Sequence, residues 1–175
     1  RVKWRSSGLA APVSAVRYEG LIAVAEHGKS RVISLNKDGE VDSILAEDLP
    51  APTGLTVRDG QLFVSDRSLG KILRIAQNGQ RLSEPEIVAE NLVSPEGFDF
   101  FDRKLVVIEA DLGEVTMIDT SGDKSLLAKI PPGTQAASEL QPPSQVFNGV
   151  AVDDNGNVYV PGETNRALYK ISNPF

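Results

Sequence analysis

The sequence predicts an all-β chain built as a β-propeller of four recognisable blades. Three observations carry this reading. Four apolar runs, LIAVAE (21–26), QLFVSD (61–66), KLVVIE (104–109) and NVYVPG (157–162), recur along the chain and mostly end on or beside an acidic residue. With Ile22, Leu62, Leu105 and Val158 as equivalent positions, the spacings are 40, 43 and 53 residues, and a repeat of this period points to stacked or radial units. β-branched residues fill the runs, and no window holds a helical period beyond two turns.

Each element follows from the same unit. Upstream of each run stands a short strand-like segment: PVSAV, PTGLTV, PEGFDF and FNGVAV. After each run a turn of about four residues leads to a second run, RVISL, KILRI, EVTMI or RALYKI. The punctuators KDG, RDG, QNG and DNG supply the positive φ that tight hairpins need. Four antiparallel strands per 40–50 residues read as one blade. A sandwich or barrel is the alternative, because strand counts alone do not fix the mode of closure. The units are 9–48, 49–91, 92–130 and 146–175. The Pro-rich insertion 131–145 accounts for the longer last spacing and is expected on the surface. Within it, 134–141 is the one helix candidate. The last unit stops after its third strand, and RVKWRSSGL opens the chain without a unit of its own. Residues 1–8 are therefore expected as a closing strand against 166–171, with Trp4 as a packing residue. The alternative is part of a larger, six-bladed propeller, which would leave open edges and favour an oligomer.

Composition narrows the partners. Lys and Arg number 18 against 24 Asp and Glu, and the pI is near 4.9. Nucleic acid and anionic membrane are poor partners for such a surface. No apolar run reaches the roughly 18 residues that span a bilayer. With no Cys, disulfide scaffolds, thiol nucleophiles and Cys-ligated zinc are excluded. A first residue of Arg1 rather than Met suggests a processed or trimmed chain, so the compartment is unknown, with an extracellular or periplasmic setting favoured by a narrow margin.

PEGFDF (95–100), FNGVAVDDNGNVYV (147–160), LFVSDRSLGKILRI (62–75) and PTGLTVRDGQLFVSD (52–66) resemble the senescence-marker-protein/gluconolactonase-like propellers and the NHL-repeat propellers. The strictosidine-synthase-like proteins are a neighbouring resemblance. The likeness runs from about Leu9 to Ile171. It implies a divalent metal, often Ca²⁺, at the mouth of a central channel, with ligands just before a Gly at the start of innermost strands. The matching positions are Ser14, Thr53, Glu96 and Asn148, of which Glu96 and Asn148 have the family's ligand types. The family's Asp-Gly base is absent, with Ser14 or Thr53 in its place.

Antiparallel alternation puts these four positions at the same end as the turns at His27, Arg67, Asp111 and Glu163. The carboxylates Glu26, Asp66, Glu96, Glu109, Asp111 and Glu163 fall near this end. Spread out they make a solvated acidic rim; converged they suit Ca²⁺ or Mg²⁺. His27 is the single imidazole, so a multi-His metal site is excluded and a lone general base is the alternative to a loop His. No G-x-S-x-G or G-x-x-x-x-G-K-[ST] occurs. Two functions follow as expectations. One is a binding scaffold that presents the mouth and its loops to a small molecule or protein. The other is a metal-dependent hydrolase of lactones or small esters, with Asp66, Asp111 or His27 as base.

Overall fold

The computed structural model describes residues 2, 4–130, 149–162 and 167–175. Its described residues are all-β, with one 3₁₀ turn at His27–Lys29, and they form the up-and-down antiparallel blades of a β-propeller. The chain divides into two compact units, Arg1–Leu92 and Val93–Phe175.

The first unit holds two four-stranded sheets. One is β1 (Pro12–Tyr18), β2 (Leu21–Glu26), β3 (Arg31–Leu35) and β4 (Val41–Ala46); the other is β5 (Pro52–Arg58), β6 (Gln61–Asp66), β7 (Lys71–Gln77) and β8 (Gln80–Ala89). Strands pair in chain order in both. The second strand of each sheet is buried along nearly its whole length, so both faces are covered. That is why LIAVA and LFV read as apolar runs rather than alternating ones. Ala23, Ala25, Val32 and Leu45 of the first sheet pack against Leu62, Val64, Leu73 and Ile75 of the second. Fourth strands lie outermost and show Val41 and Ile87 to solvent. Pro85 between Glu84 and Glu86 blunts the long β8 edge.

The second unit holds β9 (Pro95–Phe101), β10 (Lys104–Glu109), β11 (Glu114–Ile118) and β12 (Lys124–Lys129) in one sheet. A three-stranded sheet follows: β13 (Ala151–Val152), β14 (Val158–Gly162) and β15 (Ala167–Ile171). Val106, Ile108 and Val115 form a core with Val158 and Val160.

Hairpin chemistry sets the registers. Asp59–Gly60 and Asn78–Gly79 have positive φ at both residues and join Arg58 to Gln61 and Gln77 to Gln80, the geometry of type I′ turns. Three longer turns repeat one device. Asn36, Asp119 and Asp153 each accept, through Oδ1, the N–H groups two and four residues on, and each is followed three residues later by Gly39, Gly122 or Gly156. These bonds hold the Asp119 and Asp153 carboxyls below the ordinary 3.8, chiefly through the Ser121 hydroxyl and the Asn157 side chain respectively.

An aromatic residue ends the first strand of the first and third sheets and grips the next sheet's glycine turn. The buried Tyr18 hydroxyl donates to Gly60 O at 3.3 Å and accepts Gly79 N–H at 2.9 Å. Burial pushes its pKa up. Phe101 stacks on Phe175 with ring centroids 4.6 Å apart, and a Cβ on Gly156 would meet Phe101 at 2.9 Å.

The expected closing strand is not present among the described residues of 1–8, which carry no strand. Trp4 lies over Gly39, where a Cβ would meet its ring at 2.7 Å, and Gly8 O accepts Lys29 Nζ at 3.4 Å. Side-chain packing along the first sheet takes the place of ladder pairing, and Trp4 is a packing residue as expected. The insertion 131–145 and its helix candidate lie outside the described residues.

Two outcomes are expected. Tyr18→Phe should lower stability by about 1 kcal/mol, because the partly buried Gly79 amide loses its acceptor; a shifted urea midpoint at unchanged slope would show it. Since Asp119 and Asp153 have depressed folded values, their contribution is complete above about pH 4 and fades as pH falls further. Asp153→Asn should flatten the acid limb of a stability–pH curve taken at unchanged ionic strength.

Candidate functional site

In each of the first three repeats the end of the second strand lies against the linker that enters the first strand. Those linkers carry backbone N–H groups with no ladder partner, and a proline follows that donates nothing. The last residue of each of three second strands answers this. Glu26 Oε1 accepts Ala10 N–H at 2.8 Å, Asp66 Oδ2 accepts Ala51 N–H at 3.0 Å, and Glu109 Oε2 accepts Val93 N–H at 2.7 Å. All three carboxylates are buried. The residue after each acid donates to the linker carbonyl just before the proline: His27 to Ala11, Arg67 to Ala51 and Ala110 to Ser94. On the other side of the turn, Leu49, Leu92 and Ile130 donate to Ser30, Gly70 and Gly113. In the fourth repeat the equivalent position is Gly162, which has no side chain to offer.

Each acid has a second partner. Glu26 Oε2 takes the Arg31 Nε at 2.6 Å, Asp66 Oδ1 takes Leu69 N–H at 2.9 Å, and Glu109 Oε1 takes the Thr116 hydroxyl at 2.7 Å. Both oxygens of Asp66 are therefore engaged by backbone amides, as suits a structural clasp. Glu26, Asp66 and Glu109 are buried, so these three do not make a solvated rim.

The other anticipated residues take separate places. Thr53 is buried, with Oγ1 2.8 Å from Ser65 Oγ, and Ser65 Oγ accepts Gly54 N–H at 2.8 Å. Glu96 is buried at the second position of β9. His27 opens the 3₁₀ turn and is half-buried. Asp111 is exposed and accepts the Ser94 hydroxyl. Asn148 and Glu163 lie outside the described residues. Among the described residues no group of three or more His, Asp and Glu side chains is placed to hold a metal ion.

Ser14 is a correction. Pro12, Pro52 and Pro95 pair with Glu26, Asp66 and Glu109, and Ala15, Leu55 and Phe98 pair with Val24, Val64 and Val107. Val13, Thr53 and Glu96 are therefore equivalent, and Ser14 aligns with Gly54 and Gly97. Counting back from Ala15 put the alignment one residue out; the shared proline fixes it. Asp99 escaped notice altogether: its Oδ2 accepts Val152 N–H at 2.9 Å and ties β9 to β13. An acid inside an apolar strand, PEGFDF, was the available signal.

With the frame fixed by clasps, the chemistry at this end varies in the turns. His27-Gly28-Lys29-Ser30, Arg67-Ser68-Leu69-Gly70 and Ala110-Asp111-Leu112-Gly113 stand at equivalent points. Leu69 and Leu112 are exposed at 42% and 49%.

Comparison with known proteins agrees with this architecture. A β-propeller repeat family matches residues 146–170. No curated protein matches the sequence. Among solved structures, a virginiamycin B lyase from Staphylococcus aureus is similar at 15% identity and TM-score 0.63, over 92% of this chain and 52% of the lyase. A candidate gluconolactonase is similar at 17% identity and TM-score 0.61, over 89% of this chain and 58% of that one. A chain of a nidogen/laminin complex is similar at 15% identity and TM-score 0.61, over 94% and 65%. The chain thus spans about half to two-thirds of the length of these neighbours, and the likeness is one of fold. It resembles the gluconolactonase-like and NHL-type propellers, as its motifs suggested. Among the described residues no helix is long and apolar enough to cross a membrane.

Removing a clasp has a measurable cost. Asp66→Ala strands the Ala51 and Leu69 amides and should lower stability by about 3 kcal/mol. Asp66→Asn, which keeps one acceptor oxygen, should cost less than half of that in the same urea titration.

Proposed function

We propose that this chain is a β-propeller binding scaffold in which clasped repeats present the turns between their second and third strands to a protein or small-molecule ligand. The observation that supports it most is the contrast between clasps and turns. In three repeats a buried carboxylate accepts a backbone N–H one or two residues before the proline, while the adjoining turns differ in charge and polarity: Lys29 in the first, Leu69 in the second, Asp111 and Leu112 in the third. A fixed frame with variable surface chemistry suits recognition, because loops on a rigid scaffold carry most binding function. Exposed Leu69 and Leu112 give such turns apolar contacts that desolvate readily.

The alternative, a divalent-metal hydrolase of lactones or small esters, draws on the likeness to the candidate gluconolactonase. It needs carboxylates available to a cation or a water, and Glu26, Asp66 and Glu109 are already spent on the backbone. Glu96, buried at the start of β9, and Asp111, exposed in the turn after β10, are the described acids on which a hydrolase would draw.

A lactone panel in Ca²⁺ and in EDTA separates the two. The scaffold reading expects hydrolysis at the buffer rate and one melting temperature in both solutions. Turnover that disappears in Glu96→Gln would establish the hydrolase. A photo-crosslinking side chain at Leu69 or Leu112 is expected to trap a ligand that one at Leu126, exposed on β12, does not. Trapping at Leu126 alone would move the binding face to the outer strands.

A further inference from the structure

We infer that Asn78 is a site of spontaneous covalent modification, deamidation through a succinimide, and that the Tyr18 hydroxyl sets its rate. The chain contains three Asn-Gly pairs, at 78–79, 148–149 and 155–156, and the first and third lie among the described residues. Asn-Gly is the dipeptide in which ring closure is least hindered, since glycine brings no side chain against the attacking nitrogen. In the reaction the Gly79 nitrogen gives up its proton to solvent and bonds to Asn78 Cγ. The bond from Cγ to the side-chain nitrogen breaks, and ammonia leaves. Water then opens the five-membered ring at either carbonyl, giving aspartate or isoaspartate. Water is the sole co-reactant, and no electrons are transferred.

The two turns are held differently. Asn78 is exposed on the β7–β8 hairpin. Gly79 N–H donates to a side chain, the Tyr18 hydroxyl at 2.9 Å, and the nearest atom to a Cβ placed on Gly79 is Glu19 Cβ, 3.6 Å away. Asn78 N–H donates to the Gly60 carbonyl at 2.7 Å, but the Gly79 nitrogen itself is held by the hydroxyl contact, and breaking that contact frees the nucleophile. Asn155 is clamped. Its N–H donates to Asp153 Oδ1 at 3.0 Å, its carbonyl accepts Asn173 Nδ2 at 3.0 Å, and Gly156 N–H donates to the Asp153 carbonyl at 2.9 Å. Gly156 also lies against the Phe101 and Phe175 rings, which leaves its turn little room to reorganise.

Modification would feed back on the first unit. Asn78 Oδ1 and Glu19 Oε1 both stand against the position a Cβ on Gly60 would occupy. A new carboxylate at 78 would therefore stand near Glu19, and an isoaspartate would lengthen the backbone at the turn that Tyr18 grips. The deamidated protein should melt below the unmodified one.

The test is incubation of the folded protein at 37 °C and mildly alkaline pH, followed by tryptic mapping. Cleavage after Arg74 and Arg81 releases Ile75–Arg81, which isolates Asn78; fragmentation localises the mass change in the peptide that holds Asn155. Wild type should convert Asn78 first, with Asn155 nearly intact at the same time. Tyr18→Phe should speed conversion at Asn78 on the order of fivefold and leave Asn155 unchanged. Equal wild-type rates at the two sites would overturn the site assignment, whether or not the variant folds. An unchanged rate at Asn78 in Tyr18→Phe, or an equal rise at both asparagines, would overturn the role of the hydroxyl.

Discussion

A blade hands the chain to its neighbour through a linker whose amides have left one ladder and not yet joined the next, and the rest of this structure is arranged around that constraint. A buried amide without a partner costs about 1–3 kcal/mol, and a linker exposes several. Glu26, Asp66 and Glu109 answer with one carboxylate each, placed at the last residue of the second strand, where the incoming linker passes. An ionised acceptor gives a stronger bond than a neutral one. Its own burial is offset by a second donor in every case: a guanidinium, an amide or a hydroxyl. The same residue thus closes the strand, starts the turn and positions the following strand.

This arrangement bears on function by assigning the acids. A row of Asp and Glu at one end of a repeat protein suggests metal or acid–base chemistry until their partners are known. For Glu26, Asp66 and Glu109 each partner set includes a linker amide of the chain itself. The diversity that a ligand could read is displaced one to four residues, into the turns. A lyase, a candidate gluconolactonase and a chain of a nidogen/laminin complex share the fold at similar TM-scores, so the fold alone does not select among them.

Much of the fold was legible in the sequence because its signals are local. The four apolar runs are the second strands of the four sheets, and the Gly turns stand where positive φ is needed. Ser14 was misaligned because register is a pairing property, and the neighbouring small residues Ser14 and Ala15 mimic a Thr-Gly or Glu-Gly step. Residues 1–8 read as a strand because RVKW alternates apolar with charged residues, yet Trp4 finds its contact on Gly39, many residues away. The acids were noticed as a repeated feature, but their role depended on which linker amide each one meets. That information lies in three dimensions.

Gly162 gives the fourth repeat a different status from the others. Where Asp66 and Glu109 each constrain the preceding connection, since an amide one or two residues before the proline must arrive opposite the carboxylate, a glycine sets no such measure. The connection entering this repeat is freed from the spacing rule the others obey, and it is the one in which the chain carries its Pro-rich stretch at 131–145. A repeat whose second strand ends on glycine is thus the one before which a connection can change its length while the clasps of the other repeats keep theirs.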